Sequence, residues 1–201
     1  MIKTLIFDVG NVLVPFDFKR GYAMMESRCP FPSAEIPQRI RATGLVPRFE
    51  TGQLGAEQFV EELSRALELN LSYDEFCRLW TCIFLPHTLV PESMIVRLRE
   101  RHRLLLLSNT NPIHFRMVEE NYPVLRHFDE RVLSYEVGAA KPSPKIYEEA
   151  VARANCRAEE CFFTDDIALY VEAARNAGID AVQFESVAQL ENELRARNIK
   201  W

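Results

Sequence analysis

The stretch IFDVGNVLV, residues 6–14, decides how the rest of the chain is read. An apolar run ends on a lone acid, Asp8, and then turns through Gly10 and Asn11. Runs that are apolar at every position, without alternation, suit strands buried on both faces of a parallel sheet. Ligands of open parallel sheets bind outside the carboxyl ends of their strands. Asp8 is therefore either an ordinary turn residue or a carboxylate delivered to a working edge. Taken alone, it favours the turn.

Four later segments resemble this opening: RLLLLSNTN (103–111), RVLSYEV (131–137), CFFTDD (161–166) and AVQFE (181–185). Helical patterns separate them: 91–102, 144–155, 168–178 with a C-capping Gly178, and a last amphipathic helix near the C-terminus. This alternation predicts an α/β fold: a Rossmann-like, doubly wound parallel sheet joined by right-handed crossovers. Residues 16–88 break the rhythm, with three helical patterns, five prolines and no convincing strand. They are expected to form a small helical cap inserted after the first strand. The core would then comprise 1–15 and 89–201.

The chain has 201 residues, enough for one sizeable domain or for a core with a smaller insert. Its formal net charge of -5 argues against general nucleic-acid or membrane-surface binding, since both partners are polyanions. No apolar stretch approaches the length of a membrane span. The N-terminus reads as a first strand and not as a signal peptide. Five cysteines without C-x-x-C spacing read as free thiols in a reducing compartment, so a cytoplasmic location is expected. The oligomeric state is not legible.

The polar residues that end each apolar run are Asp8, Ser108 and Asn109, Lys141 just beyond the third run, and Asp165 with Asp166. Singly, each has a bland reading: a turn, a helix cap, a solvated lysine, acids favoured by a helix dipole. Their joint placement along one sheet edge is not explained that way.

This order, with GAAKPSPKIY at 138–147 and TDD followed by EAARNAG, resembles the haloacid dehalogenase superfamily of phosphohydrolases over essentially the whole chain. The branch it most resembles includes sugar-phosphate phosphatases with an FDxGNV opening, and the N-terminal phosphatase domain of soluble epoxide hydrolases. The FETG stretch at 49–52 fits the same branch. The resemblance implies that Asp8 attacks phosphorus and Lys141 supplies positive charge, while Ser108 and Asn109 bind the phosphate or substrate. It implies Mg2+ held by Asp8, the Gly10 carbonyl and Asp166. Asp165 would then orient Lys141 or a bound water, because successive strand residues point to opposite sides. The expected partner is a small phosphorylated metabolite.

Two positions depart from the family pattern. Gly10 stands where a second aspartate usually serves as general acid and base, and Tyr170 where Asp or Asn often supports the metal. Glycine keeps the backbone carbonyl but gives up proton transfer, typically worth about 10²–10⁴ in rate. A slow or selective phosphatase acting on a readily expelled leaving group is expected. Two alternatives stay open: a metal-independent 2-haloacid dehalogenase, which also lacks the second acid, and a regulatory protein with an impaired site. The four histidines have no ligand spacing; His114 reads as a surface or helix-end residue. Phe59, Phe76, Trp80 and Phe84 read as core of the insert.

Overall fold

The computed structural model describes residues 1–201. Five strands form one parallel sheet: β1 (Thr4–Phe7), β2 (Arg103–Ser108), β3 (Glu130–Leu133), β4 (Cys161–Asp165) and β5 (Asp180–Gln183), in the order β3-β2-β1-β4-β5. The doubly wound parallel sheet expected from the apolar runs is present. β1 is central, and all four of its residues are buried. Leu5 and Phe7 join a cluster on one face with Leu104, Leu106 and Phe162. Ile6 joins the cluster on the other face with Leu105, Leu107 and Phe163. Burial on both faces is the physical reason these strands carry no polar alternation.

Six helices separate β1 from β2 in sequence, and the first five form the insert: α1 (Phe18–Glu26), α2 (Ile36–Thr43), α3 (Leu45–Glu50), α4 (Ala56–Ala66) and α5 (Tyr73–Thr81). They share their own apolar cluster, in which Phe49 stacks on Phe59 with ring centroids 4.1 Å apart. Ser72 and Glu75 cap α5 reciprocally, satisfying backbone donors that the helix itself cannot. The remaining helices are α6 (Glu92–Arg99), α7 (Pro112–Asn121), α8 (Ser134–Val137), α9 (Pro144–Ala154), α10 (Ala168–Asn176) and α11 (Val187–Ala196). No helix is long and apolar enough to cross a membrane.

Helices α1 and α3 add to the three helical patterns read in the insert, and one strand is shorter than the sequence suggests. The run 131–137 is a strand only to Leu133; Ser134–Val137 is a single helical turn closed by Gly138 at φ 71°. Leu133 pairs with Ser108, so β3 ends level with β2 and the chain must turn away from the sheet there.

Candidate active site

Register fixes the site. Phe7 pairs with Leu106 on one side and Thr164 on the other, so Asp8 emerges between the ends of β2 and β4. Its N–H still donates to the Thr164 carbonyl at 3.0 Å. The centre of the cluster is Lys141, whose side chain is 1% exposed. Its Nζ donates to Asp8 Oδ1 at 2.8 Å, to Asp165 Oδ2 at 2.5 Å and to the Leu107 carbonyl at 3.1 Å. All three ammonium protons are thus placed. Burial by itself would lower the lysine's pKa; the two facing carboxylates outweigh it and hold the group above its ordinary value.

The loop carrying Lys141 is braced by Asn109. Its Nδ2 donates to the Lys141 carbonyl at 2.9 Å, and its Oδ1 accepts from the Lys141 N–H at 2.7 Å. Ser134 performs a similar service at the next turn: its Oγ accepts from the Thr110 N–H and donates to the Thr110 carbonyl. Asn111 caps α7 by accepting from the His114 N–H at 3.0 Å.

Asp8, Asp165 and Asp166 bring carboxylate oxygens within 4.8 Å of one another. Asp165 is fully buried and committed: Oδ2 to Lys141, Oδ1 to the Ile167 N–H at 2.9 Å. Asp166 is only partly buried, with a 3.5 Å contact from Asn11 Nδ2. Burial pushes the Asp8 carboxyl up to about 7; Lys141 pulls against this, and Asp165 adds to it. Burial also raises Asp166, with Asp165 contributing. The Gly10 carbonyl accepts no backbone hydrogen bond. Crowded carboxylates under-supplied with positive charge, beside a free carbonyl, form a hard-oxygen donor set that suits a divalent cation such as Mg2+. The residues fit the ion.

Next to these groups lies a cavity of about 330 Å³ between the sheet edge and the helical insert. Gly10, Ser108, Asn109 and Thr110 border it from below, and Tyr22, Ile40, Arg41, Val46 and Glu50 from the insert. Phe16, Phe18, Trp80 and Phe84 form an aromatic part of its wall. Phe16 occupies the space beside Gly10: a Cβ on that glycine would lie 2.7 Å from Phe16 Cε1. Glu50 is partly buried yet pairs with nothing in the protein, and desolvation pushes its carboxyl up to about 7. Tyr170 stands at the lysine, its hydroxyl 3.4 Å from Asn109 Nδ2 and its ring 5.2 Å from Lys141 Nζ.

A family model for haloacid dehalogenase-like hydrolases matches residues 2–178. The chain belongs to that family. A D-ribitol-5-phosphate phosphatase of Bacteroides thetaiotaomicron is 27% identical to this hydrolase, covering 96% of it and 97% of the relative. A phosphatase of Mycobacterium tuberculosis is 29% identical over 90% of this hydrolase and 86% of the relative. Among solved structures, a Bacteroides thetaiotaomicron enzyme of the family, in complex with magnesium and inorganic phosphate, superposes with a TM-score of 0.83. It is 25% identical, with 93% of this hydrolase and 96% of that chain covered.

All six residues singled out from the sequence of this hydrolase, besides Gly10, lie at the carboxyl edge of the sheet: Asp8, Ser108, Asn109, Lys141, Asp165 and Asp166. Asn109 holds the lysine loop with both polar atoms, a connection its position after β2 does not announce. His114 is buried and borders the cavity, contrary to the surface reading. Trp80 and Phe84 likewise border it, whereas Phe59 and Phe76 are buried core of the insert as expected. Ser134 went unnoticed because 131–137 reads as one strand; the strand-end rule applied at Leu133 finds it. Phe16 carries no sequence signal of its role.

Proposed function

We propose that this hydrolase is a magnesium-dependent phosphatase of small phosphorylated metabolites, working through an aspartyl-phosphate on Asp8. The observation that carries the reading is Lys141 Nζ bonded to both Asp8 and Asp165 at the sheet edge, with Asp166 beside them. A carboxylate attacking a phosphate ester faces charge repulsion, and a buried ammonium offsets it where solvent screening is weak. An Asp8 carboxylate oxygen forms the new P–O bond as the ester P–O bond breaks and the leaving oxygen takes up a proton. Water then attacks phosphorus, the Asp8–phosphate bond breaks, and inorganic phosphate leaves.

Asp8, the Gly10 carbonyl and Asp166 would hold Mg2+, which when bound supplies further positive charge to the transferring phosphoryl group. Lys141 keeps Asp8 ionised and oriented. Asp165 and Asn109 position Lys141, and Ser108 donates to a phosphate oxygen. Residues 16–88 act as the cap over the core formed by 1–15 and 89–201, and the cavity between them receives the organic part of the substrate. A sugar or polyol phosphate is the substrate class favoured by the ribitol-phosphate relative.

The test is Mg2+-dependent phosphate release by highly purified protein on a metabolite panel that includes ribitol 5-phosphate, with Asp8→Asn as control. The variant is expected to lose release entirely. Unchanged release by the variant refutes catalysis at Asp8. Chloride release from 2-chloropropionate without metal would establish the dehalogenase reaction instead.

A further inference from the structure

Gly10 leaves the proposed reaction without a group to protonate the leaving oxygen, and the ring of Phe16 already stands beside it. A proton donor has to come from elsewhere in the cavity. Four titratable side chains line it besides the phosphate-binding edge: Tyr22, Arg41, Glu50 and His114. His114 is unsuitable. Its Nε2 lies 3.0 Å from the Trp80 carbonyl and its Nδ1 3.1 Å from Asn111 Nδ2, and burial holds its pKa down at about 4. Burial raises the phenol of Tyr22 above its ordinary value, and a guanidinium does not give up its proton. Glu50 is the one carboxyl in the wall. It makes no hydrogen bond or ion pair, and its burial favours the protonated form near neutrality.

Glu50 is also anchored. It ends α3, and two residues later Gly52 packs against the backbone of α8. A Cβ at Gly52 would come within 2.2 Å of the Tyr135 carbonyl oxygen, so helix and loop meet backbone to backbone. Gly52 also has φ 68°, a conformation that glycine adopts without strain. The loop from α8 continues through Gly138 to Lys141, so this contact ties the insert to the segment that carries the catalytic lysine.

We propose that Glu50 is the general acid and base of this site, acting from the insert in place of the side chain that Gly10 lacks. The inference rests on the phosphatase reading. The Glu50 carboxyl donates its proton to the leaving oxygen as the ester P–O bond breaks. The resulting carboxylate accepts a proton from the water that attacks the aspartyl-phosphate, which returns Glu50 to its starting state. Position 10 is then free to be small, and the aromatic wall can close on the substrate.

The test compares kcat/KM for wild type and Glu50→Gln with Mg2+ on 4-nitrophenyl phosphate, benzyl phosphate and ribitol 5-phosphate. kcat/KM reports steps up to expulsion of the leaving group, and 4-nitrophenolate departs without protonation. The variant is expected to fall about 10²–10⁴-fold on the two alkyl esters and only a few-fold on the aryl ester. Glu50→Asp keeps the acid on a shorter arm and shows the same selective loss to a smaller degree. Equal losses on all three esters, or a rise in KM alone, overturn the role of Glu50 while leaving the phosphatase reading intact. No Mg2+-dependent turnover of any ester by wild type overturns both.

Discussion

Glu50→Gln should stabilise the protein while disabling it, and the gain should depend on pH. Glu50 is partly buried without a partner, and desolvation moves its carboxyl from 4.5 to about 7 on folding. At about 1.4 kcal/mol per tenfold, ionised Glu50 disfavours the folded state by on the order of 3 kcal/mol. The folded protein binds more protons than the unfolded chain between these two values, so this contribution lowers stability as pH rises from 4.5 towards 7. Above that window the full penalty applies; below it there is none. Glutamine has the same shape and no charge. For a chain of this size roughly 2–4 °C in Tm accompanies each kcal/mol. The variant should therefore melt about 6–12 °C above wild type at pH 8 and with it at pH 4.5. Thermal denaturation across pH 4.5–8.5 at fixed Mg2+ measures the difference. Burial holds His114 down at about 4 and raises the Tyr22 and Tyr170 phenols, so these neighbours keep one charge state across the window and the difference isolates position 50. Parallel curves would show that Glu50 is solvated, and the argument from burial would fail.

Lys141→Met leaves the Asp8 and Asp165 carboxylates facing each other without their shared cation. Losing one member of such a buried ionic group costs about 3–5 kcal/mol, measurable by urea unfolding at pH 7.5, and phosphate release should vanish with it. Gly10→Asp drives the new side chain into Phe16 Cε1, and overpacking of this kind costs about 1–3 kcal/mol. Adding Phe16→Ala should relieve the overlap, visible as favourable coupling in a double-mutant cycle, and in a Glu50→Gln background only the double variant should recover activity on alkyl phosphates. Gly52→Ala meets both the Tyr135 carbonyl and a left-handed backbone, whose penalty alone is about 1 kcal/mol. It should lower Tm and, through Glu50 two residues earlier, reduce kcat/KM on benzyl phosphate more than on 4-nitrophenyl phosphate.

The sheet was legible because burial on both faces keeps β1, β2 and β4 almost wholly apolar, so Asp8, Ser108 and Asp165 stand out at their ends. The pairing of Lys141 with two acids follows from the same edge. What the sequence hides is which groups are crowded or committed. SYEV alternates like a strand, yet Ser134 turns inward to hold Thr110. FETG at 49–52 marks Glu50 only as part of a family pattern; nothing nearby in sequence shows that its carboxyl lines the cavity without a partner. Phe16 fills the place beside Gly10 through a turn of the chain whose course no local pattern reports.

The seam between insert and sheet bears on engineering. Ile113 of α7 packs in the apolar cluster of the five inserted helices, not with the sheet. One residue on, His114 stacks on Trp80 at 5.3 Å and contacts its carbonyl. The first turn of α7 therefore belongs mechanically to the insert, although it follows the end of β2 closely in sequence. A chimera that exchanged only residues 16–88 would strand Ile113 against foreign side chains and remove the indole on which His114 stacks. A transplant meant to change substrate choice has to carry Ile113 and His114 along, and its boundary falls inside a helix.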